Sequence, residues 1–105
     1  MFEVREYTDA EGNSPFRKWF QRLSAAAADR VARAIRRMEQ GNLGDVRPIG
    51  AGLSEHRIHV GPGYRIYFGR EGKTLIILLA GGTKQRQPRD IETAKALWRQ
   101  YKREG

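Results

Sequence analysis

Leu53-Ser54-Glu55-His56-Arg57-Ile58-His59-Val60-Gly61-Pro62-Gly63-Tyr64-Arg65-Ile66-Tyr67-Phe68-Gly69-Arg70 reads as two strands folded back on each other. Glycine reaches positive φ without a Cβ penalty and proline presets its own φ, so Gly61-Pro62-Gly63 is the hairpin turn. Strand alternation then sorts the side chains. In Leu53–Val60, His56, Ile58 and Val60 share one face, and Glu55, Arg57 and His59 share the other. In Tyr64–Arg70, Tyr64, Ile66 and Phe68 point to a core, which leaves Arg65 and Tyr67 opposite. The hairpin thus predicts Arg57, His59, Arg65 and Tyr67 on one surface, away from the apolar side.

Downstream, Glu71-Gly72-Lys73 is a second turn and Thr74–Ala80 a third strand. Its run Leu75-Ile76-Ile77-Leu78-Leu79 is apolar without alternation, which fits a strand in the middle of the sheet, covered on both sides. Gly81-Gly82 is read as turn chemistry that lets the backbone leave the sheet. Lys84, Gln85, Arg86 and Gln87 then lead to a last helix beginning soon after Pro88, with Ile91, Ala94, Leu97, Trp98 and Tyr101 on one face.

Upstream, Gly41 to Gly52 has little periodicity and reads as a loop. Before it, Ser14-Pro15 and Ser24 start two helices, because a hydroxyl can accept from a free N–H of the first turn. Phe16, Trp19, Phe20 and Leu23 make the apolar face of the first; Ala28, Val31, Ile35 and Met38 make that of the second. Phe2 and Val4 alternate with charges toward Tyr7 as an opening strand. The order is β-α-α-β-β-β-α: an α+β fold with a mainly antiparallel four-stranded sheet packed against helices.

A chain of 105 residues has room for one core, so residues 1–105 form a single domain. A hydrophobic content of 39% argues against a disordered chain. The absence of cysteine excludes disulfides, thiolate metal sites and cysteine nucleophiles. No secretory signal opens the chain and no stretch is long and apolar enough for a membrane span, so a cytoplasmic location without membrane attachment is expected.

The formal charge of +8 is unevenly placed. Residues 1–45 carry eight Lys/Arg against seven Asp/Glu, whereas residues 46–105 carry twelve against five. A basic excess gathered on the sheet portion suits a polyanion such as RNA.

Cleaving RNA without a metal needs a proton acceptor for the 2′-OH, cations for the charged phosphorane and an acid for the leaving oxygen. Histidine is the side chain whose ordinary chemistry suits proton transfer near neutral pH, which makes His59 the candidate. Arg65 and Lys84 are the candidate phosphorane-stabilising cations, with Arg57, Tyr67 and Gln87 holding phosphate and base. Three positions apart on a strand, His56 and His59 face opposite ways, so no metal site and no cofactor is expected. His56 belongs to the core side, Arg30, Arg33, Arg36 and Arg37 form a solvated helix face, and Glu55 is a partner for Arg57 or Arg65. No glycine loop for nucleotide phosphates is present.

Taken together, Gly52-Leu53-Ser54-Glu55-His56-Arg57-Ile58, Gly61-Pro62-Gly63-Tyr64-Arg65-Ile66-Tyr67-Phe68 and Leu78-Leu79-Ala80-Gly81-Gly82-Thr83-Lys84, with Gln87 and Asp90-Ile91, resemble the RelE/ParE superfamily of type II toxins. The likeness is to its HigB-like addiction-module killer branch and extends over nearly the whole chain. It implies a ribosome-dependent endoribonuclease that cuts messenger RNA and inhibits translation, neutralised by a helix-turn-helix, HigA-like antitoxin. Arg65 matches the functional arginine after Gly-Tyr, while Arg57, His59 and Lys84 match basic positions around it. The C-terminal tyrosine of some relatives has no counterpart, since Tyr101 lies on the apolar face of the last helix. Two other readings stand beside this one: a ParE-like inhibitor of DNA gyrase without nuclease activity, and a non-enzymatic basic RNA-binding module.

Overall fold

The computed structural model describes residues 1–104. Strand β1 (Glu3–Glu6) is followed by helices α1 (Pro15–Gln21) and α2 (Ala25–Glu39). Strands β2 (Val46–Gly50), β3 (Leu53–Ile58), β4 (Tyr64–Glu71) and β5 (Leu75–Thr83) come next. A 3₁₀ turn over Lys84–Arg86 runs into helix α3 (Gln87–Glu104).

The helix starts follow from their caps. Ser14 Oγ accepts the Arg17 N–H at 3.0 Å with Pro15 in the first turn, and Ser24 Oγ accepts the Ala27 N–H at 3.2 Å. Ser14 also donates to Glu6 Oε1 at 2.9 Å, tying the entry of α1 to the end of β1.

The sheet has five strands in the order β1-β5-β4-β3-β2, not the four expected, and it is mixed: β1 runs parallel to β5 while the other pairings are antiparallel. The additional strand, β2, lies inside the segment read as a loop. Only Val46 and Ile49 of its residues are partly buried, and Pro48 is tolerated because β2 is an edge strand. β4, rather than β5, occupies the centre.

Both faces of the sheet are covered. Ile66, Phe68, Ile76 and Leu78 pack with Phe16, Trp19, Val31, Ala34 and Met38 of the helical hairpin. Leu53, Tyr67, Ile77, Leu79 and Ala80 pack with Tyr7 and with Ala94 and Trp98 of α3. The unbroken apolar run of β5 therefore feeds both cores, and each fully buried aliphatic or aromatic side chain contributes about 1.5–3 kcal/mol. A bulge opposite Tyr67/Phe68 puts consecutive residues Leu79 and Ala80 both on the α3 side.

Each face also receives one tryptophan against a glycine. A Cβ on Gly81 would lie 2.2 Å from the Trp19 ring, and one on Gly69 would lie 2.5 Å from that of Trp98. Gly81 and Gly82 thus lie within β5, which continues to Thr83, and Gly81 serves close approach rather than a turn.

Candidate functional site

Strand register places Arg57 directly beside Arg65, and Glu55 beside Tyr67. These residues do share a face, as alternation requires, but α3 covers that face instead of leaving it bare. The proposed site residues consequently fall into two groups, one under α3 and one at the open rim near the β3–β4 turn.

Under α3, Glu55 and Tyr67 are fully buried and Arg65 is 7% exposed. Arg65 Nη1 donates to Glu55 Oε1 at 2.9 Å. Gln87, the first residue of α3, donates through Nε2 to Glu55 Oε1 at 2.9 Å and Oε2 at 2.8 Å. A buried carboxylate needs this kind of compensation, since desolvation costs several kcal/mol per ion. The Tyr67 hydroxyl and Arg65 Nε find no partner among the described residues. Burial, with the Glu55 and Asp90 charges behind it, raises the Tyr67 pKa, so the phenol stays protonated and can only serve as a neutral donor or acceptor.

Asp90, one turn further along α3, completes this polar layer. Its Oδ2 is buried without a partner among the described residues, and a Cβ on Gly82 would lie 1.9 Å from it, so a side chain there would have to displace this carboxylate. Desolvation pushes the Asp90 carboxyl above its ordinary value, against the opposing pull of Arg86 and Arg89.

At the rim, Asp45 binds two site residues at once. Arg57 Nη2 donates to Asp45 Oδ1 at 2.9 Å, and His59 Nε2 lies 2.5 Å from Asp45 Oδ2. The backbone locks the pair in place, with Arg57 N donating to Asp45 O at 2.9 Å. These hydrogen bonds, that from Arg57 first, hold the Asp45 carboxyl at about 2. Because a carboxylate only accepts, His59 presents its proton at Nε2 to Asp45 and leaves Nδ1 toward solvent. His59 lies past the end of β3, so turn geometry and Asp45, not strand alternation, set its direction.

Lys84 is exposed at the start of the 3₁₀ turn, and its backbone N–H donates to Gly63 O at 2.8 Å. That bond fixes Lys84 beside the β3–β4 turn that carries His59. His56 faces the other way, its Nδ1 donating to Leu43 O at 2.8 Å, and burial lowers its pKa so that it stays neutral.

Sequence reasoning missed Asp45, hidden in the unrecognised approach to β2; it read Glu55 as a partner for Arg57 or Arg65, of which the structure selects Arg65, and gave Asp90 no chemical role. One signal was available: the apolar stripe of α3 needs a sheet face to cover, and Leu53, Tyr67 and Leu79 supply it.

The family model described as phage-derived protein Gp49-like (DUF891) matches residues 18–99, from α1 to the last turns of α3. The chain belongs to this Gp49-like family. It is a family of addiction-module toxins related to the RelE/ParE toxins. An uncharacterized protein of Haemophilus influenzae is 39% identical over 83 residues, spanning 78% of this chain and 84% of the relative. The Gp49-like match includes every residue of the rim and of the layer beneath α3. Membership in such a toxin family implies a cognate antitoxin. Among the described residues, no helix is long and apolar enough to cross a membrane, and no cluster of histidine and carboxylate side chains could hold a metal.

Proposed function

We propose that this Gp49-like protein is a HigB-like mRNA interferase, cutting translated messages on the ribosome without a metal and held in check by a helix-turn-helix antitoxin. The observation that supports the reading best is the rim itself. Arg57 and an exposed histidine, His59, share the Asp45 carboxylate, and Lys84 is anchored by its backbone to the β3–β4 turn that carries His59.

His59 Nδ1 takes the 2′-OH proton, and the oxygen attacks the adjacent phosphorus. Lys84 and Arg57 stabilise the phosphorane, and the imidazolium returns a proton to the departing 5′-oxygen. Arg57 turns from Asp45 to phosphate when RNA arrives, exchanging one charge-assisted pair for another. Arg65 and Gln87 act from beneath through Glu55, and Tyr67, fully buried, supports this layer without touching the substrate.

The neutralisation of Arg57 by Asp45 and of Arg65 by Glu55 favours a second reading, in which the toxin inhibits DNA gyrase and cuts nothing. A reconstituted translation reaction separates the two. Purified protein is expected to leave 5′-hydroxyl ends in ribosome-bound message, and Arg57→Ala/Lys84→Ala is expected to lose this while melting like the wild type. Intact message together with blocked gyrase supercoiling would establish the second reading. RNA binding without either effect would indicate a plain RNA-binding module.

A further inference from the structure

The distal half of α3 carries a charged surface that the rim does not use. Lys95, Arg99, Lys102 and Arg103 stand at i, i+4, i+7 and i+8, one side of a helix with about 3.6 residues per turn. Arg99, Lys102 and Arg103 have no ion-pair partner among the described residues, and Lys95 reaches Glu92 only at 3.8 Å. Cations in the last turn complement the helix dipole, which accounts for Lys102 and Arg103. It does not account for Arg99 or Lys95, one to two turns earlier.

The surface is concave. Ala51, from the β2–β3 turn, and Trp98, Arg99, Lys102 and Arg103 line an open depression of about 600 Å³. Trp98 is 3% exposed, and its indole Nε1–H, directed beside Gly52 of the same turn, has no acceptor among the described residues. Lys102 Nζ lies 5.0 Å from the centre of the Trp98 ring, which holds the ammonium at the mouth of the concavity. Three cations without ion-pair partners among the described residues, gathered on one side of α3 around this depression, describe a contact for the backbone of a polyanion.

We propose that this surface is a second nucleic-acid contact, in which the phosphodiester backbone of RNA runs along α3 and its phosphates are received by Arg99, Lys102 and Arg103. That the site takes phosphate rests on this surface alone; that the phosphate is RNA's rests on the nuclease reading. Gln87 to Arg99 is a rise of about 18 Å along the helix. The contact is therefore remote from the rim and positions RNA without taking part in its cleavage.

The test is binding of an 18-base-pair RNA duplex to the full chain, read by fluorescence anisotropy across a salt series. Arg99→Ala/Lys102→Ala is expected to weaken binding about tenfold and to flatten the dependence of log K on log salt by about 2. Thermal midpoints near the wild type's exclude a folding defect. Arg30→Ala/Arg36→Ala, which removes two cations from the solvent face of α2, is expected to change binding less than twofold.

Equal weakening by the α2 and α3 doubles would overturn the proposal, because attraction would then be diffuse. So would displacement of the duplex by inorganic phosphate beyond its ionic-strength effect, which would mark a small-anion pocket. Duplex binding retained by Arg57→Ala/Lys84→Ala and lost by the α3 double would support it. That result would stand even if the protein cut no message, so failure of the nuclease reading stays distinguishable.

Discussion

The two faces of the sheet are built to different rules. Under the helical hairpin, the core is apolar, and His56, the one buried titratable side chain there among the described residues, is neutral and bonded to a backbone carbonyl. Under α3, apolar packing around Tyr67, Leu79 and Trp98 surrounds a charged pair, Arg65–Glu55, and several buried polar atoms without partners among the described residues. The first face is a source of stability. The second gives up stability to hold charge next to the rim, which is the pattern expected where a site has been placed.

The difference is broken most sharply by unpairing the charge. Arg65→Ala leaves Glu55 buried with only Gln87 as partner and is expected to cost about 3–5 kcal/mol in denaturant unfolding. Replacing both partners, Glu55→Leu with Arg65→Met, is expected to recover most of that loss or exceed the wild type, since an apolar pair needs no compensation. A double clearly less stable than the wild type would show the pair to be worth more than its burial costs.

The glycine–tryptophan contacts sharpen the comparison from the packing side. Gly81→Ala drives a methyl into the Trp19 ring and is expected to destabilise by about 1–3 kcal/mol. Gly69→Ala does the same to Trp98, with an added loss of the proposed RNA contact that Gly81→Ala lacks.

The faces also respond to acid separately. His56 has a folded pKa below its unfolded value, so acidification protonates the unfolded chain first and stability declines as pH falls through about 6.5. Asp45 is depressed to about 2, so its contribution is complete above its unfolded value and is lost as pH falls toward 2. Asp90 is raised, so its charged form opposes folding at neutral pH. The thermal midpoint is expected to drop between pH 7 and 5, His56→Gln to flatten that drop, and Asp90→Asn to raise the midpoint at pH 7.

The smallest effect concerns the β2–β3 turn, where Ala51 adopts a φ of 59° that suits glycine. Ala51→Gly is expected to gain up to about 1 kcal/mol.

Much of this contrast was legible in the sequence and part was not. The caps at Ser14 and Ser24, the hairpin at Gly61-Pro62-Gly63 and the two-sided apolar run of β5 depend on local chemistry, and local patterns report them. Alternation put Glu55, Arg57, Arg65 and Tyr67 on one face, because a period of two is geometric. It could not say what lay above that face, since burial beneath α3 is a tertiary fact. β2 escaped because two apolar residues and a proline make no strand pattern, and Asp45 escaped with it. The glycines at 81 and 82 look like turn residues in sequence; only Trp19 and Asp90 pressed against them reveal another purpose.

The central claim, that the rim cuts translated RNA, is tested most directly by mapping RNA ends genome-wide after induction in cells lacking the antitoxin. New 5′-hydroxyl ends within coding regions, absent with Arg57→Ala/Lys84→Ala at equal protein level, are the expected result. Growth arrest with intact messages would contradict it.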